Sequence, residues 1–107
     1  MDEAHRLGLR VCSHARARDS IKQCVQHGVD IIFHGSYIDE PTMDELEKNK
    51  HRHMVAPALN WLYATTYEAG PFGYSFDKAE KDGYKKELDI AVTACKEMHQ
   101  RGITVLP

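Results

Sequence analysis

The sequence predicts an α/β fold built on parallel strands, and three observations carry that expectation. Apolar runs of strand length alternate with amphipathic segments along the chain. The junctions "LGLRV", "HGVDI" and "RGITV" repeat one pattern, in which a helix closes on glycine and a buried strand begins. Strands such as "DIIF" are apolar without a break, as expected where both faces of a sheet are covered. Parallel neighbours in one sheet need right-handed crossovers, and helices supply them here.

The elements follow in order. "DEAHRLG" reads as the end of a helix closed by Gly8, and "LRVCSHA" as a short strand. "RDSIKQCVQHG" is helical, with Ile21, Cys24, Val25 and Gly28 at the spacing of one helix face. "VDIIFHG" is a second strand. "DEPTMDELEKNK" is a second crossover helix, with Pro41 in its first turn and Asp44 and Glu45 near the positive end of its dipole. "RHMVAPAL" is a third strand, running from about His53 to Pro57. Residues 58–76 read as a long loop. "KAEKDGYKKELDIAVTACKEMHQRG" then reads as one long helix, and "ITVLP" as a fourth strand.

Length and composition bound what such a fold can do. A chain of 107 residues supports one small domain, here residues 1–107. The net charge of -2 offers no basic field for nucleic acid and no polybasic membrane patch. No apolar run approaches the roughly 20 residues of a membrane span. The start "MDEAHRLGLR" has no signal-peptide core. Cys12, Cys24 and Cys95 are odd in number, widely spaced and free of any CxxC, which predicts a reduced, cytoplasmic setting without disulfides.

Two histidines stand out against this background. His14 and His34 each end an apolar strand and are each followed by a small residue, Ala15 and Gly35. In parallel α/β folds the C-terminal strand ends carry the chemistry. Alternation puts Cys12 with His14 on one face, and Ile32 with His34 on one face. If those faces share an interior, neighbouring strands about 4.8 Å apart bring the two imidazoles together. Their nitrogens are then expected within roughly 3–6 Å, in reach of one divalent metal. One such histidine would more simply cap its strand and bond a loop. Two in equivalent positions of consecutive strands favour a metal.

Other histidines fit structural roles better. His51 and His53 form an HxH pair, but it opens a strand and lies roughly 13 Å from the functional end. Cys24 and His27 share a helix face, yet Cys24 falls on the apolar stripe. His5 and His99 sit near helix ends, where a partly protonated ring suits the dipole.

The run "VCSHARARDSIKQCVQHGVDIIFHGSYIDEPTMDEL" resembles the amidohydrolase superfamily, in its imidazolonepropionase-like and Xaa-Pro-dipeptidase-like branch. The pattern there is a strand ending in His-Ala, a helix carrying "I..A...G", then "VD.IEHG..ID.E....L" and a strand ending "P.L". It appears here as "SHA", "IKQCVQHGVDIIFHG", "YIDEPTMDEL" and "VAPAL", over residues 4–62, with "RGITVLP" following. Two positions depart from it. Phe33 stands where many members have Glu, and Arg16 where His or Tyr is common.

The resemblance implies a partial TIM-type (β/α)8 barrel, these four strands being the fifth to eighth. It places His14 and His34 on two metal-ligand positions of a centre that holds one or two divalent ions, with zinc the first expectation. It implies hydrolysis of a C–N bond in a small amide, cyclic amide or dipeptide by metal-activated water. The family's HxH strand, its lysine strand and its catalytic aspartate have no counterpart in this sequence. A fragment of a longer enzyme, inactive alone and lacking half of its barrel, is therefore the expectation, with association into homo-oligomers as one outcome. Arg16, just past His14, is a candidate for binding an anionic substrate group or else a solvated arginine. The loop at 58–76 carries six of the nine aromatics, among them Trp61 and Tyr63. These two are candidate substrate contacts in a lid over the barrel mouth, or else rings packed on its rim. The alternative from another class is a small, complete α/β module that binds a ligand without catalysis.

Overall fold

The computed structural model describes residues 1–106. Pro107, the end of the expected fourth strand, lies outside the described residues. The elements are α1 (Asp2–Arg6), β1 (Cys12–Ala15), α2 (Arg18–His27), β2 (Ile31–His34), α3 (Glu40–Lys48) and β3 (Met54–Ala56). After them come α4 (Leu59–Tyr67), a 3-10 turn (Gly70–Phe72), α5 (Phe76–Lys81), α6 (Tyr84–Gln100) and β4 (Thr104–Val105). The strands form one sheet in the order β1-β2-β3-β4, and all neighbours are parallel. The expected α/β alternation is what the chain adopts.

Local chemistry explains the boundaries. Gly28 ends α2 in the left-handed conformation, at φ 77°, and Val29 returns its N–H to the carbonyl of Cys24. Asp39 caps α3 by accepting the Thr42 N–H, and Pro41 sits in the first turn, where no backbone donor is needed. At the far end of α6, the Arg101 guanidinium gathers Glu40, Asp44 and Glu47 from α3 and Glu97 from its own helix.

Register sorts the side chains into two faces. Ser13, Ile32, Val55 and Val105 form one row, and Ala15 lies in the same parity. This face is covered by helices: Ala15, Ile32 and Val55 join Ile21, Cys24 and Val25 of α2, Met43 and Leu46 of α3 and Met98 of α6 in one buried core. The opposite rows are Cys12, Ile31, Met54 and Thr104, then His14, Phe33 and Ala56. None of these seven side chains is fully buried. The sheet thus has one dry face and one open face.

Two expectations need correction. The stretch 58–76 is not a loop, because most of it is α4 and a 3-10 turn. Only Leu62 and Thr66 of α4 are buried, so no apolar stripe marks the helix in the sequence. The expected long helix is two: Asp82 ends α5, and Gly83, at φ 88°, turns the chain into α6. A residue with φ this positive cannot continue a helix, and glycine adopts it without a Cβ clash.

Leu46 is fully buried between α3 and the sheet. Leu46→Ala is expected to lower the unfolding free energy by about 2–5 kcal/mol. A urea titration that places the variant's midpoint at the wild-type value would contradict this core.

Candidate metal centre

Parity alone would have kept His14 and His34 apart. His14 pairs in register with Phe33 on the open face, whereas His34 pairs with Ala15 on the covered face. The expectation that simple alternation aligns the two faces therefore fails, since Ile32 is buried under the helices while Cys12 is exposed. A backbone reversal brings the rings together instead. His34 has φ 78° and Gly35 φ 73°, two successive left-handed residues. Histidine is among the few non-glycine residues enriched in this region. A Cβ on Gly35 would meet Val55 Cγ1 at 3.4 Å, an ordinary contact, so its positive φ and not crowding is what favours glycine there. Ala58, just past β3, is the other non-glycine residue with positive φ among the described residues, at 55°. Both thus lie at the same end of the sheet, and backbone strain of this kind concentrates at functional sites.

The result is a close pair. Nδ1 of His14 and Nε2 of His34 are 3.1 Å apart, and the ring centroids 5.1 Å apart. His14 also lies against Phe33, centroids 5.0 Å apart. Trp61 of α4 meets the His34 ring edge-on at 5.6 Å. Burial holds the His34 pKa below the usual imidazole value, and the neighbouring His14 and Arg16 charges add to the effect. A neutral ring keeps a lone pair available. The other His34 nitrogen, Nδ1, is buried and has no hydrogen-bond partner.

Arg16 meets a partner that the sequence reading did not name. Its guanidinium forms a two-pronged pair with Glu87 of α6, through Nε at 3.0 Å and through Nη2 to the other oxygen. Ser36, in the loop after β2, donates to the same carboxylate at 2.9 Å. Glu87 is 1% exposed. Burial pushes its pKa up, but the Arg16 and Ser36 hydrogen bonds and the Arg16 charge outweigh that and hold it below the usual range. The Arg16 guanidinium lies over Trp61 at 5.3 Å and beside Tyr84 at 5.8 Å. A signal for Glu87 was present: it stands on the stripe Glu87, Ala91, Ala94, Met98, where a helix facing a core carries apolar residues.

The structure therefore brings His14, His34, Arg16 and Trp61 together and leaves Tyr63 apart. Tyr63 is two residues past Trp61 on the same helix, on a different side of it, and packs on Tyr67, which stacks on Phe76. His51 and His53 lie at the opposite, N-terminal end of the strands. His53 is buried and donates through Nδ1 to the Val29 carbonyl at 2.6 Å. Both line a cavity of about 610 Å³ with His5, Arg10 and Asp30. His27 ends α2 on the outside of the sheet, and Cys24 is core. Among the described residues, no three His, Cys, Asp or Glu side chains gather closely enough to hold a metal ion. Among them, too, no helix is long and apolar enough to cross a membrane.

The depressed Glu87 pKa makes stability depend on acid. The contribution is fully present above the unfolded carboxylate value near 4.5 and is lost as pH falls through the lower folded value. Urea midpoints measured from neutral pH down through that range should fall less steeply for Glu87→Gln than for the wild type. Equal slopes would show that the pair with Arg16 contributes nothing to stability.

No protein-family model matches the chain, and no curated protein matches it significantly. Solved structures do match its fold. An amidohydrolase superimposes with a TM-score of 0.76 at 25% identity, covering 97% of this chain and 24% of its own. A prolidase complexed with N-methylphosphonate-L-proline gives 0.77 at 23% identity, with the same two coverages. A Xaa-Pro dipeptidase with methionine bound in its active site gives 0.74 at 19%, covering 97% and 25%. The chain spans about a quarter of the length of each. Four parallel strands alternating with helices, matched over nearly the whole chain to such enzymes, make this an amidohydrolase-like partial barrel.

Proposed function

We propose that the chain forms part of the metal centre of a hydrolase that cleaves a C–N bond in an amide or dipeptide. His14 and His34 are the proposed ligands of a divalent ion, zinc in the first instance. The observation that carries this reading is the 3.1 Å approach of two imidazole nitrogens across a left-handed backbone reversal. Two nitrogens bound to one tetrahedral ion at about 2.0–2.1 Å lie about 3.3 Å apart, so the pair fits a shared ion with little movement. A direct N–H···N bond would also account for the distance. The positive φ at His34 is backbone strain of a kind that concentrates at functional sites, which supports the shared ion.

When bound, such an ion supplies a water activated near neutral pH and a polarised carbonyl. The chain's own residues supply the surroundings. Trp61 packs against the His34 ring and keeps bulk water off that side. Arg16 is held over Trp61 by Glu87, yet 43% of its side chain stays exposed at the mouth. An anionic substrate group meeting that exposed edge is the role proposed for Arg16, with Trp61 as apolar wall. Tyr63 would reach a substrate only at the outer rim. The structural neighbours include a dipeptidase and a prolidase, which supports a dipeptide-like substrate.

Two imidazoles fall short of the three protein ligands usual at a catalytic zinc. The 107-residue chain is therefore expected to bind zinc weakly and to hydrolyse amides and dipeptides at no more than background rate. Calorimetric zinc titration should show binding that is lost in His14→Ala and in His34→Asn, the second chosen because Asn also tolerates positive φ. Undiminished zinc binding in both variants would refute the ligand assignment. Metal-dependent turnover by the chain alone, abolished by His14→Ala, would refute the partial-site reading.

A further inference from the structure

We infer that residues 59–83, made up of α4, the 3-10 turn and α5, form a hinged lid over the paired histidines, with Ala58 and Gly83 as its hinges and Trp61 as its latch. The segment begins and ends inside the chain, between β3 and α6. Within it only Leu62, Thr66 and Ala79 are buried. Leu62 does not join the main core. It packs with Leu88 and Ala91 of α6 in a separate small cluster, edged by Leu59, Tyr84 and Val92. Among the described residues, no side chain of 59–83 forms a hydrogen bond or ion pair outside the segment. Its side-chain bonds are internal: Thr66 to the Leu62 carbonyl, Tyr74 to Asp82, and the Ser75 cap on Lys78. The backbone bonds that tie it to its flanks sit at its two ends, from the Trp61 N–H to Ala58 and from the Glu87 N–H to Gly83. A unit with so little buried surface and no polar ties can open while the rest of the domain stays folded.

The ends of the segment have the backbone of hinges. Ala58 sits at φ 55° and ψ 42°, a left-handed conformation that strains an L-residue. Gly83 takes φ 88° without that strain. A few such positions at element ends absorb the rotation of a lid, and opening releases Ala58 to ordinary φ. The latch is Trp61. Its ring lies under the Arg16 guanidinium at 5.3 Å and meets His34 edge-on at 5.6 Å. Neither contact is a hydrogen bond, so both can part without leaving a buried donor unpaired. Arg16 keeps its bonds to Glu87 when the latch lifts, so the frame at the mouth persists. Shut, Trp61 shields the His34 ring. Open, it admits solvent and ligand to that ring. That a metal pair lies beneath the lid rests on the reading above, whereas the hinge rests only on how 59–83 is packed.

The test uses the 107-residue chain without added metal. Trp61 is its single tryptophan, so a chain grown with fluorotryptophan reports on the latch alone. Its fluorine signal should exchange between two environments on the microsecond-to-millisecond scale of lid motions. Ala58→Gly removes the strain of the shut form and should lower the open population by about fivefold or more. Val92→Ala trims the cluster from the α6 side and should raise it. Amide hydrogens of α4 should stay protected in all three chains, since a lid swings without melting. A fluorine signal free of exchange in every chain overturns the proposal. So does an open population that a folded variant leaves unmoved, or α4 amides that exchange as fast as an unfolded chain. If one variant does not fold, the wild type and the other variant decide. The zinc titration of the ligand variants is a separate measurement, so either reading can fail while the other stands.

Discussion

The buried carboxylate of Glu87 is the constraint on which the mouth of this sheet depends. It belongs to α6, late in the chain, yet its partners come from the ends of the first two strands: Arg16 after β1 and Ser36 after β2. A charge with 1% exposure is tolerable only where its oxygens are met by donors. Arg16 meets both of them, which fixes the plane of its guanidinium. The guanidinium lies over Trp61, and Trp61 in turn bears on His34. One ion pair thus sets the placement of α4 and α6 over the strand ends from which the two histidines project. Elements far apart in sequence are tied at the end of the sheet where the chemistry is expected, not in its core.

The core is organised by a simpler rule. Helices α2, α3 and α6 cover one face of a parallel sheet, and every inward position on that face is small or apolar. The other face carries residues of similar character with nothing over them. A parallel sheet is normally covered on both sides. Apolar continuity in "DIIF" therefore reports the needs of both faces, although only one is met within this chain.

Much of this was legible in the sequence. The glycine-to-strand junctions, the apolar runs and helix periodicity located the four strands and the crossover helices α2 and α3, because capping and burial act locally. His14 and His34 were legible as a pair from their equivalent positions, but the way they meet was not. Alternation predicts opposite faces for them in the actual register, and a positive φ in a histidine leaves no mark on composition or spacing. Helix α4 was hidden because its exposed aromatics, Trp61, Tyr63 and Tyr67, mask the two buried positions, Leu62 and Thr66. The break at Gly83 was visible as a glycine but was absorbed into one long helix, since a single glycine within a helical pattern is often tolerated. Glu87 broke the apolar stripe of its own helix, a local inconsistency of the kind that marks a site.

The left-handed turn at His34 has a consequence for how this position can change over time. Two demands fall on one residue: an imidazole for the meeting with His14, and a backbone that accepts positive φ. Glycine, asparagine and aspartate satisfy the second and lack the ring, while valine, isoleucine and threonine satisfy neither. Gly35 next to it is held by its own positive φ. Drift through neighbouring sequences therefore has almost no neutral path across the dipeptide His34–Gly35. At His14 only the side chain is constrained, since its backbone is ordinary strand. If the chemistry were abandoned, His14 would be free to diverge first, and the mark of a former site would be a left-handed His-Gly step persisting beside an altered residue 14.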